Sequence, residues 1–260
     1  NMNIIMNQGD QNAPNQGSGS NNSINTTWAG GVNYNDLIGT KLDFRSNYFY
    51  NRFSPRTESR LERQYILPDS GYFYLQDAVS NAINNTQRFN AILDYAIDSF
   101  HSIRFSPSIG WQDTRRSTES RYQTLSENSE LTNEGFNNTS TENKGYNLRN
   151  DLLFRKKFRK RGRTFSTALQ YLQNSSNGSG NQFSVNDFYL PSGLPAGTDS
   201  INQRNENTAD LNGYTARIVY TEPGGKKAML EFSVAKSSTE SRSNRVTYDY
   251  DNGTGKFDQY

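Results

Sequence analysis

The sequence predicts an all-β chain whose long antiparallel strands pass up and down through a membrane as part of a transmembrane β-barrel. Three observations predict this fold class. Apolar and polar residues alternate over arms of about ten residues, which is the period of a two-faced strand. The arms form hairpins that recur about every 62 residues. Turns at one end of the hairpins are short, whereas the segments at the other end are long.

The composition supports a sheet with one apolar face and one wet face. Hydrophobic residues make up 32% of the chain, which is low for a globular domain. Disordered chains share this feature but lack aromatic residues, and this chain has 16 Tyr, 15 Phe and 2 Trp. The net charge of +2 selects neither an acidic nor a basic partner. Since Cys is absent from the sequence, disulfide frameworks and thiol chemistry are excluded.

Four hairpins organise the chain and predict about eight long strands. Residues 1–25 are rich in Asn, Gln, Gly and Ser and are interpreted as a polar linker or arm, whereas 26–260 form the barrel segment. Between the hairpins we expect long extracellular loops, parts of which still alternate and continue the strands beyond the apolar zone. Short turns are predicted near 35–40, 98–101, 160–163 and 222–226.

The alternation assigns side chains to two environments. An isolated Arg or Lys that faces hydrocarbon at mid-membrane costs roughly 2–4 kcal/mol, whereas a wet lumen accommodates it. The charged positions lie opposite the aromatic ones, so we expect the polar set to face the lumen and the apolar set to face lipid. The expected lumen-facing residues are Asp43, Arg45, Asn47, Arg88, Asp94, Arg104, Arg149, Asp151, Arg217 and Glu231. The expected lipid-facing residues are Leu42, Phe44, Tyr48, Phe89, Leu93, Tyr95, Phe105, Ile109, Trp111, Leu152, Phe154, Leu169, Tyr171, Ile218, Tyr220, Leu230 and Phe232.

The strand count favours a barrel larger than these hairpins alone would form. A strand tilted near 45° rises about 2.4 Å per residue, so an apolar band of about 25 Å needs about ten residues, as observed. Eight strands close only a narrow barrel, which leaves little room for the long Arg side chains of the polar set. We therefore expect these strands to be part of a wider barrel.

Two runs of sequence carry a family resemblance. They are NTTWAGGVNYNDLIGTKLDFRSNYFYNRFSPRTESRLERQY, from Asn25, and LDYAIDSFHSIRFSPSIGWQDT, from Leu93. They resemble outer-membrane β-barrel proteins of the TonB-dependent receptor class, in the version with very long strands. The resemblance extends over roughly residues 26–234 and implies a barrel of about 22 strands, an upstream plug domain and a location in the bacterial outer membrane. It also implies as partners outer-membrane lipid, a periplasmic energy-coupling protein, and surface lipoproteins or other outer-membrane subunits, in uptake or as a scaffold.

Several local motifs have a structural and a functional interpretation. The basic run at 155–163, RKKFRKRGR, is interpreted as a turn near anionic lipid headgroups, with nucleic-acid binding or targeting as the alternative. The segment 249–255 resembles a calcium loop but misses the EF-hand spacing by one position, which favours a plain turn. Thr-Glu-Ser-Arg occurs at 57–60, 118–121 and 239–242, where we expect equivalent rungs with paired Glu and Arg, or else a ligand rim.

No catalytic constellation is found in the sequence. His101 is the single histidine and lies in a predicted turn, so it supports neither a metal site nor a nucleophile–histidine–acid arrangement. We therefore expect no enzymatic activity, no cofactor, no metal and no nucleic-acid partner. The alternative to the barrel is a soluble or surface-attached all-β adhesin or carbohydrate-binding protein.

Overall fold

The computed structural model describes residues 20–67, 70–225 and 228–259. Within these ranges nine strands form one antiparallel sheet, in which each strand pairs with the next one in sequence. This up-and-down order confirms the predicted fold class. The strands are β1 (Ser20–Ile38), β2 (Leu42–Ile66), β3 (Gly71–Ala96), β4 (His101–Ser126), β5 (Leu131–Lys157), β6 (Thr164–Tyr189), β7 (Pro195–Pro223), β8 (Met229–Asp251) and β9 (Lys256–Gln259).

The polar segments between the hairpins are strand rather than loop. Strands β2 to β7 are 25–29 residues long, and each continues well past the apolar arm that predicted it. The prediction of long extracellular loops is therefore wrong, although the part of it that continued the strands into these segments agrees with the structure. Strand β1 also begins at Ser20, within the predicted polar arm, whose residues 1–19 lie outside the described part of the chain.

The short turns fall within a few residues of their predicted places. They connect β1 to β2 at 39–41, β3 to β4 at 97–100, β5 to β6 at 158–163 and β7 to β8 at 224–228. In the second of them, the carboxylate of Asp98 accepts hydrogen bonds from the backbone N–H groups of Phe100 and His101, at 2.7 and 2.8 Å. In the first, Gly39 has a φ of +63°, a conformation that favours glycine. We call the edge of the sheet that carries these turns the short-turn end, and the opposite edge the far end.

The strands are tilted relative to the line of the short turns. A row of mutually paired residues runs from Leu42, the first residue of β2, to Val234, the sixth residue of β8, so β8 is offset by five residues. A second row, from Thr57 to Asp249, gives an offset of seven residues relative to the far ends of the same two strands. With six strand-to-strand steps of about 4.8 Å and about 3.3 Å per residue, the tilt is roughly 30–40°. Strands of membrane barrels tilt by about 35–45°.

The sheet has no hydrophobic core of its own. In the described part of the chain, the buried apolar residues are Ala82 and Ala91, both small. The sheet is therefore a single layer whose large apolar side chains lack a protein partner layer. The same ranges contain no helix that is long and apolar enough to cross a membrane.

Both edges of the sheet are open among the described residues. Strand β1 pairs only with β2, and β8 pairs with the short strand β9 only over Tyr248–Asp251. Open backbone edges cannot be satisfied in hydrocarbon, because no water is there to bind their N–H and C=O groups. In a membrane, both edges therefore need further strands as neighbours.

Candidate functional site

The strand register divides the predicted site residues between two faces of the sheet. On one face, Asp43 pairs with Asp94, which in turn pairs with Arg104. On the other, Phe44 pairs with Leu93, and the row continues through Phe105, Leu152 and Leu169. Because directly paired residues share a face, the register places all ten polar residues on one side and all seventeen apolar residues on the other. We call these sides the polar face and the apolar face.

The apolar face carries a continuous band without charge. Across β2 to β7, no Asp, Glu, Lys or Arg lies on this face from the row of Leu42 to the row of Tyr48. On β8 the charge-free stretch of this face is shorter and ends at Lys236, which lies in the row of Phe44. The side chains in the band are largely uncovered, with Leu169 exposed at 46% and Phe232 at 61%. The band ends in charged residues on both sides: Lys156 and Glu222 at the short-turn end, and Arg52, Asp113, Lys144 and Lys236 toward the far end.

Tyrosine hydroxyls mark the two borders of this band. At its border toward the far end, the hydroxyl of Tyr48 donates to Gln87 Oε1 at 3.0 Å, and that of Tyr50 donates to Asn85 Oδ1 at 3.3 Å. At the short-turn border, the Tyr220 hydroxyl donates to Glu222 Oε2 at 2.7 Å. The rings thus stay in the band while the hydroxyls point out of it at both ends. This is the arrangement of interfacial aromatic belts, in which the ring is in apolar surroundings and the tip is wet.

The polar face carries a four-residue charge cluster near the short-turn end. The Asp94 carboxylate on β3 accepts hydrogen bonds from Nε and Nη2 of Arg104 on β4, both at 2.7 Å. It also accepts hydrogen bonds from Nη2 of Arg45 on β2, at 2.9 Å, and from Nη2 of Arg155 on β5, at 3.4 Å. The Asp94 side chain is 19% exposed. One carboxylate therefore ties four neighbouring strands together through charge-assisted hydrogen bonds.

Arg155 is the member of this cluster that the expected lumen-facing set does not contain, although the alternation of its arm puts it opposite the apolar residues. It begins the basic run at 155–163, so the sequence groups it with the turn that follows. Strand β5 continues to Lys157, however, and Arg155 pairs with Ser102 on the polar face. The signal in the sequence is its spacing of two residues from Leu153 and of four from Asp151, which puts all three on the same face.

Neutral side chains of the polar face also bond across strands. The Asn90 amide donates to Asn47 Oδ1 at 2.9 Å, and the Ser108 hydroxyl donates to Asn90 Oδ1 at 2.7 Å. The Gln170 amide donates to Asp151 Oδ1 at 2.8 Å, and Asp151 also pairs with Arg149 at 2.8 Å. Such contacts satisfy polar groups within the sheet, which leaves the face hydrophilic without isolated buried charges.

Of the remaining polar residues, Arg88 and Arg217 lie on the same face within the part of the chain that the structure describes, where neither has a carboxylate at salt-bridge distance. Both are therefore available to water or to molecules that contact this face. Glu231 shares the face and pairs with Thr221 on β7.

The Thr-Glu-Ser-Arg repeats do not form one rim. Thr57 and Thr118 lie in the same row through Ser80, whereas Thr239 pairs with Gly213. Their ion pairs run along single strands, for example Arg60 with Glu62 at 3.0 Å and Arg242 with Glu240 at 2.6 Å. The expectation of equivalent rungs is therefore wrong for the third repeat. The repeat's own Glu and Arg pair at 239–242, whereas at 57–60 Glu58 pairs with Arg56 and Arg60 with Glu62.

The two motifs with possible metal or acid–base chemistry are turn elements. In the segment that resembles a calcium loop, Asp251 accepts hydrogen bonds from the Gly253 N–H and the Thr254 hydroxyl, at 2.8 and 3.0 Å. Over residues 20–67, 70–225 and 228–259, no group of three His, Asp or Glu side chains is placed to hold a metal ion. His101 Nδ1 lies 2.9 Å from the Asp98 carboxylate within the same turn.

Among comparisons with known proteins, the match to a family model agrees with this geometry at the level of class. Residues 156–260 match the model of the outer membrane protein beta-barrel family. No curated protein matches the chain. Among solved structures, the ferric-catecholate import receptor Fiu from Escherichia coli K12 is 9% identical with a TM-score of 0.18, and the alignment covers 93% of this chain and 60% of the receptor. Pseudomonas aeruginosa OccK10 (OpdN) is 10% identical with a TM-score of 0.14, with 90% of this chain and 99% of OccK10 covered.

The chain thus spans 60% of the first of these two proteins. The family match and the single up-and-down sheet define the class: the chain is a segment of an outer-membrane β-barrel, and its location is the bacterial outer membrane.

The Asp94 cluster leads to a stability prediction. Asp94→Asn removes the charge that three arginines share, so we expect unfolding in urea to become easier by about 1–3 kcal/mol. Asp43→Asn is the matched control, because Asp43 is half-exposed and reaches only Arg45 Nε, at 3.3 Å. We expect it to cost less than about 1 kcal/mol. Equal losses for the two variants would contradict a central role for Asp94.

Proposed function

We propose that this chain forms part of the wall of a barrel of the TonB-dependent receptor type, with the apolar face against lipid and the polar face lining a lumen through which cargo is taken up. In this proposal the outer-membrane lipid contacts the band, and a periplasmic protein supplies energy to the complete transporter. The proposal assigns no catalytic step to the chain.

The observation that carries the proposal is the distribution of charge over the two faces. In β2 to β7 the apolar band lacks charge over about ten residues per strand, and in β8 it lacks charge from Met229 to Ala235, whereas the polar face holds charges of both signs at the same level. A wall with lipid on both sides would leave the Asp94 cluster in hydrocarbon, and a wall with water on both sides would expose the band. Only one lipid side and one wet side satisfy both faces.

The open edges and the tilt support a barrel wider than this sheet. Nine strands with two unpaired edges do not close in the described part of the chain, and a membrane requires closure. The tilt of roughly 30–40° is near that of membrane barrels. A wide barrel also gives the unpaired Arg88 and Arg217 a water-filled space to face, as the resemblance to long-stranded receptors implies.

The strands rise far beyond the membrane in this arrangement. At such a tilt a strand of 26 residues, such as β3, spans roughly 70 Å, whereas the apolar band of a barrel is about 25 Å tall. The excess lies toward the far end, beyond the charged residues that bound the band on that side. We therefore place the short-turn end at the periplasm and the far end outside the cell.

The assignment of the faces can be tested with single cysteines, since the chain has none of its own. Ser108→Cys lies on the polar face and Ile109→Cys, the next residue, on the apolar face. In intact outer membranes, we expect a small charged thiol reagent to label Cys at 108 and to leave Cys at 109 unlabelled. Preferential labelling at 109 would show that the faces are reversed, and equal labelling would exclude a lipid-covered band.

Energised uptake is tested by genetic interaction. Deletion of the gene for this chain and deletion of the periplasmic coupling protein should impair growth on the same nutrient source, and the double deletion should be no worse on it than the stronger single one. A growth or envelope defect that is independent of the coupling protein would instead indicate a scaffold in a larger outer-membrane assembly.

A further inference from the structure

The turn between β5 and β6 concentrates more positive charge than its acidic neighbours balance. Seven of the nine residues at 155–163 are Lys or Arg. Arg155 belongs to the Asp94 cluster. Lys160 and Arg163 both pair with Glu222, at 2.5 and 2.6 Å. These bonds, from Arg163 first and then Lys160, hold the pKa of the Glu222 carboxyl far below its usual range, so Glu222 is ionised and fully engaged.

Four cations at this turn remain without a carboxylate partner. Within the described ranges, none of them has an acidic group at salt-bridge distance. Lys157, Arg159 and Arg161 are exposed, and Lys156 is half-exposed. We call Lys156, Lys157, Arg159 and Arg161 the basic turn cluster.

The cluster lies where β5 ends, at the border of the apolar band; Lys157, the last residue of this strand, lies on its polar side. Lys156 is on the apolar face, two residues beyond Phe154, and its Nζ lies 5.0 Å from the ring centroid of Phe158. Phe158 in turn meets Tyr220 edge-on, with the ring centroids 6.4 Å apart. Aromatic rings next to lysine ammonium groups at the end of an apolar band form an interfacial anchor, in which the ring is in apolar surroundings and the charge reaches the headgroups.

The opposite end of the sheet has charge of the other sign. The far turn between β4 and β5 contains Glu127 and Glu130, and β8 ends at Asp251, next to the turn that follows it. An anionic surface would therefore be attracted to the short-turn end and repelled by the tips of the far end. The cluster also combines apolar contact with charge, which a free anion does not require.

We propose that the basic turn cluster binds the phosphates of anionic phospholipids in the periplasmic leaflet and so anchors this part of the barrel wall at that surface. This inference rests on the proposed function, because it needs the short-turn end to lie at a membrane surface. Each Lys or Arg near an anionic surface contributes about 1 kcal/mol to such binding. The four cations therefore give a preference for anionic over zwitterionic lipid.

The test uses the full chain in vesicles of phosphatidylcholine that contain spin-labelled phosphatidylglycerol or spin-labelled phosphatidylcholine. Electron paramagnetic resonance measures how strongly each probe lipid is held at the protein surface. We expect the unmodified protein to prefer phosphatidylglycerol by about fivefold, the effect of roughly one fully engaged cation. The preference should fall to near one in the variant Lys156→Gln, Lys157→Gln, Arg159→Gln, Arg161→Gln.

The control changes the same number of charges at distant sites. Arg56→Gln, Arg60→Gln, Arg204→Gln and Arg242→Gln each remove a cation that pairs with a nearby Glu outside the band. This control should keep the preference. If the control variant loses the lipid preference equally, the effect is one of net charge and the proposal is overturned. The proposal is also overturned if inorganic phosphate at constant ionic strength abolishes the preference, because the cluster is then a site for free phosphate.

Insertion is measured separately by protection from protease and by heat-modifiable migration. A protein that does not insert would contradict the proposed function itself. A protein that inserts but shows no lipid preference would overturn only the inference about the basic turn cluster. Binding of an acidic protein to the cluster, with no lipid preference, would overturn it as well.

Discussion

The whole arrangement depends on one constraint: each strand must present alternate side chains to two different solvents while every backbone group stays paired. A slip of one residue in any strand pair would move that strand's charges onto the apolar face. The register is accordingly unbroken through the band in all strand pairs. The two irregularities lie at Thr124/Leu125 and Phe188/Tyr189, both at the far end and outside the band, where a shift moves no charge into the band.

The cross-strand polar contacts follow from the same constraint. The polar face would be costly if its arginines stood alone in a narrow space of low dielectric. Asp94 neutralises part of the charge of three of them at once, and the Asn47, Asn90 and Ser108 chain satisfies the next row. These contacts join successive strands, so they also hold the register that keeps the charges on this side.

The sequence was sufficient for the parts of the structure in which the two solvents differ. Alternation of residues such as Phe44 with Arg45 identified the strands, and the register places the two sets on opposite faces of the sheet. It was less decisive beyond the band, because segments such as 51–66 carry charged residues on the face that is apolar within the band, so their alternation has less contrast. Their strand structure comes from pairing with neighbours, which a single sequence does not display.

Other features depend on long-range register and could not be obtained from spacing alone. The tilt requires knowing which residue of β8 lies level with Leu42. The role of Arg155 requires knowing that β5 continues into the basic run. The direction of the Tyr48 hydroxyl depends on Gln87, a partner on the neighbouring strand that is distant in sequence.

Intrinsic tryptophan fluorescence tests most directly the central claim that the apolar face contacts lipid. Trp28 and Trp111 are the only tryptophans, and both lie on this face at the border of the band toward the far end. In bilayers whose acyl chains carry bromine at defined depths, both should be quenched, most strongly by bromine near the headgroups. Quenching by aqueous iodide, with none by brominated lipid, would show that this face is wet and would contradict the account.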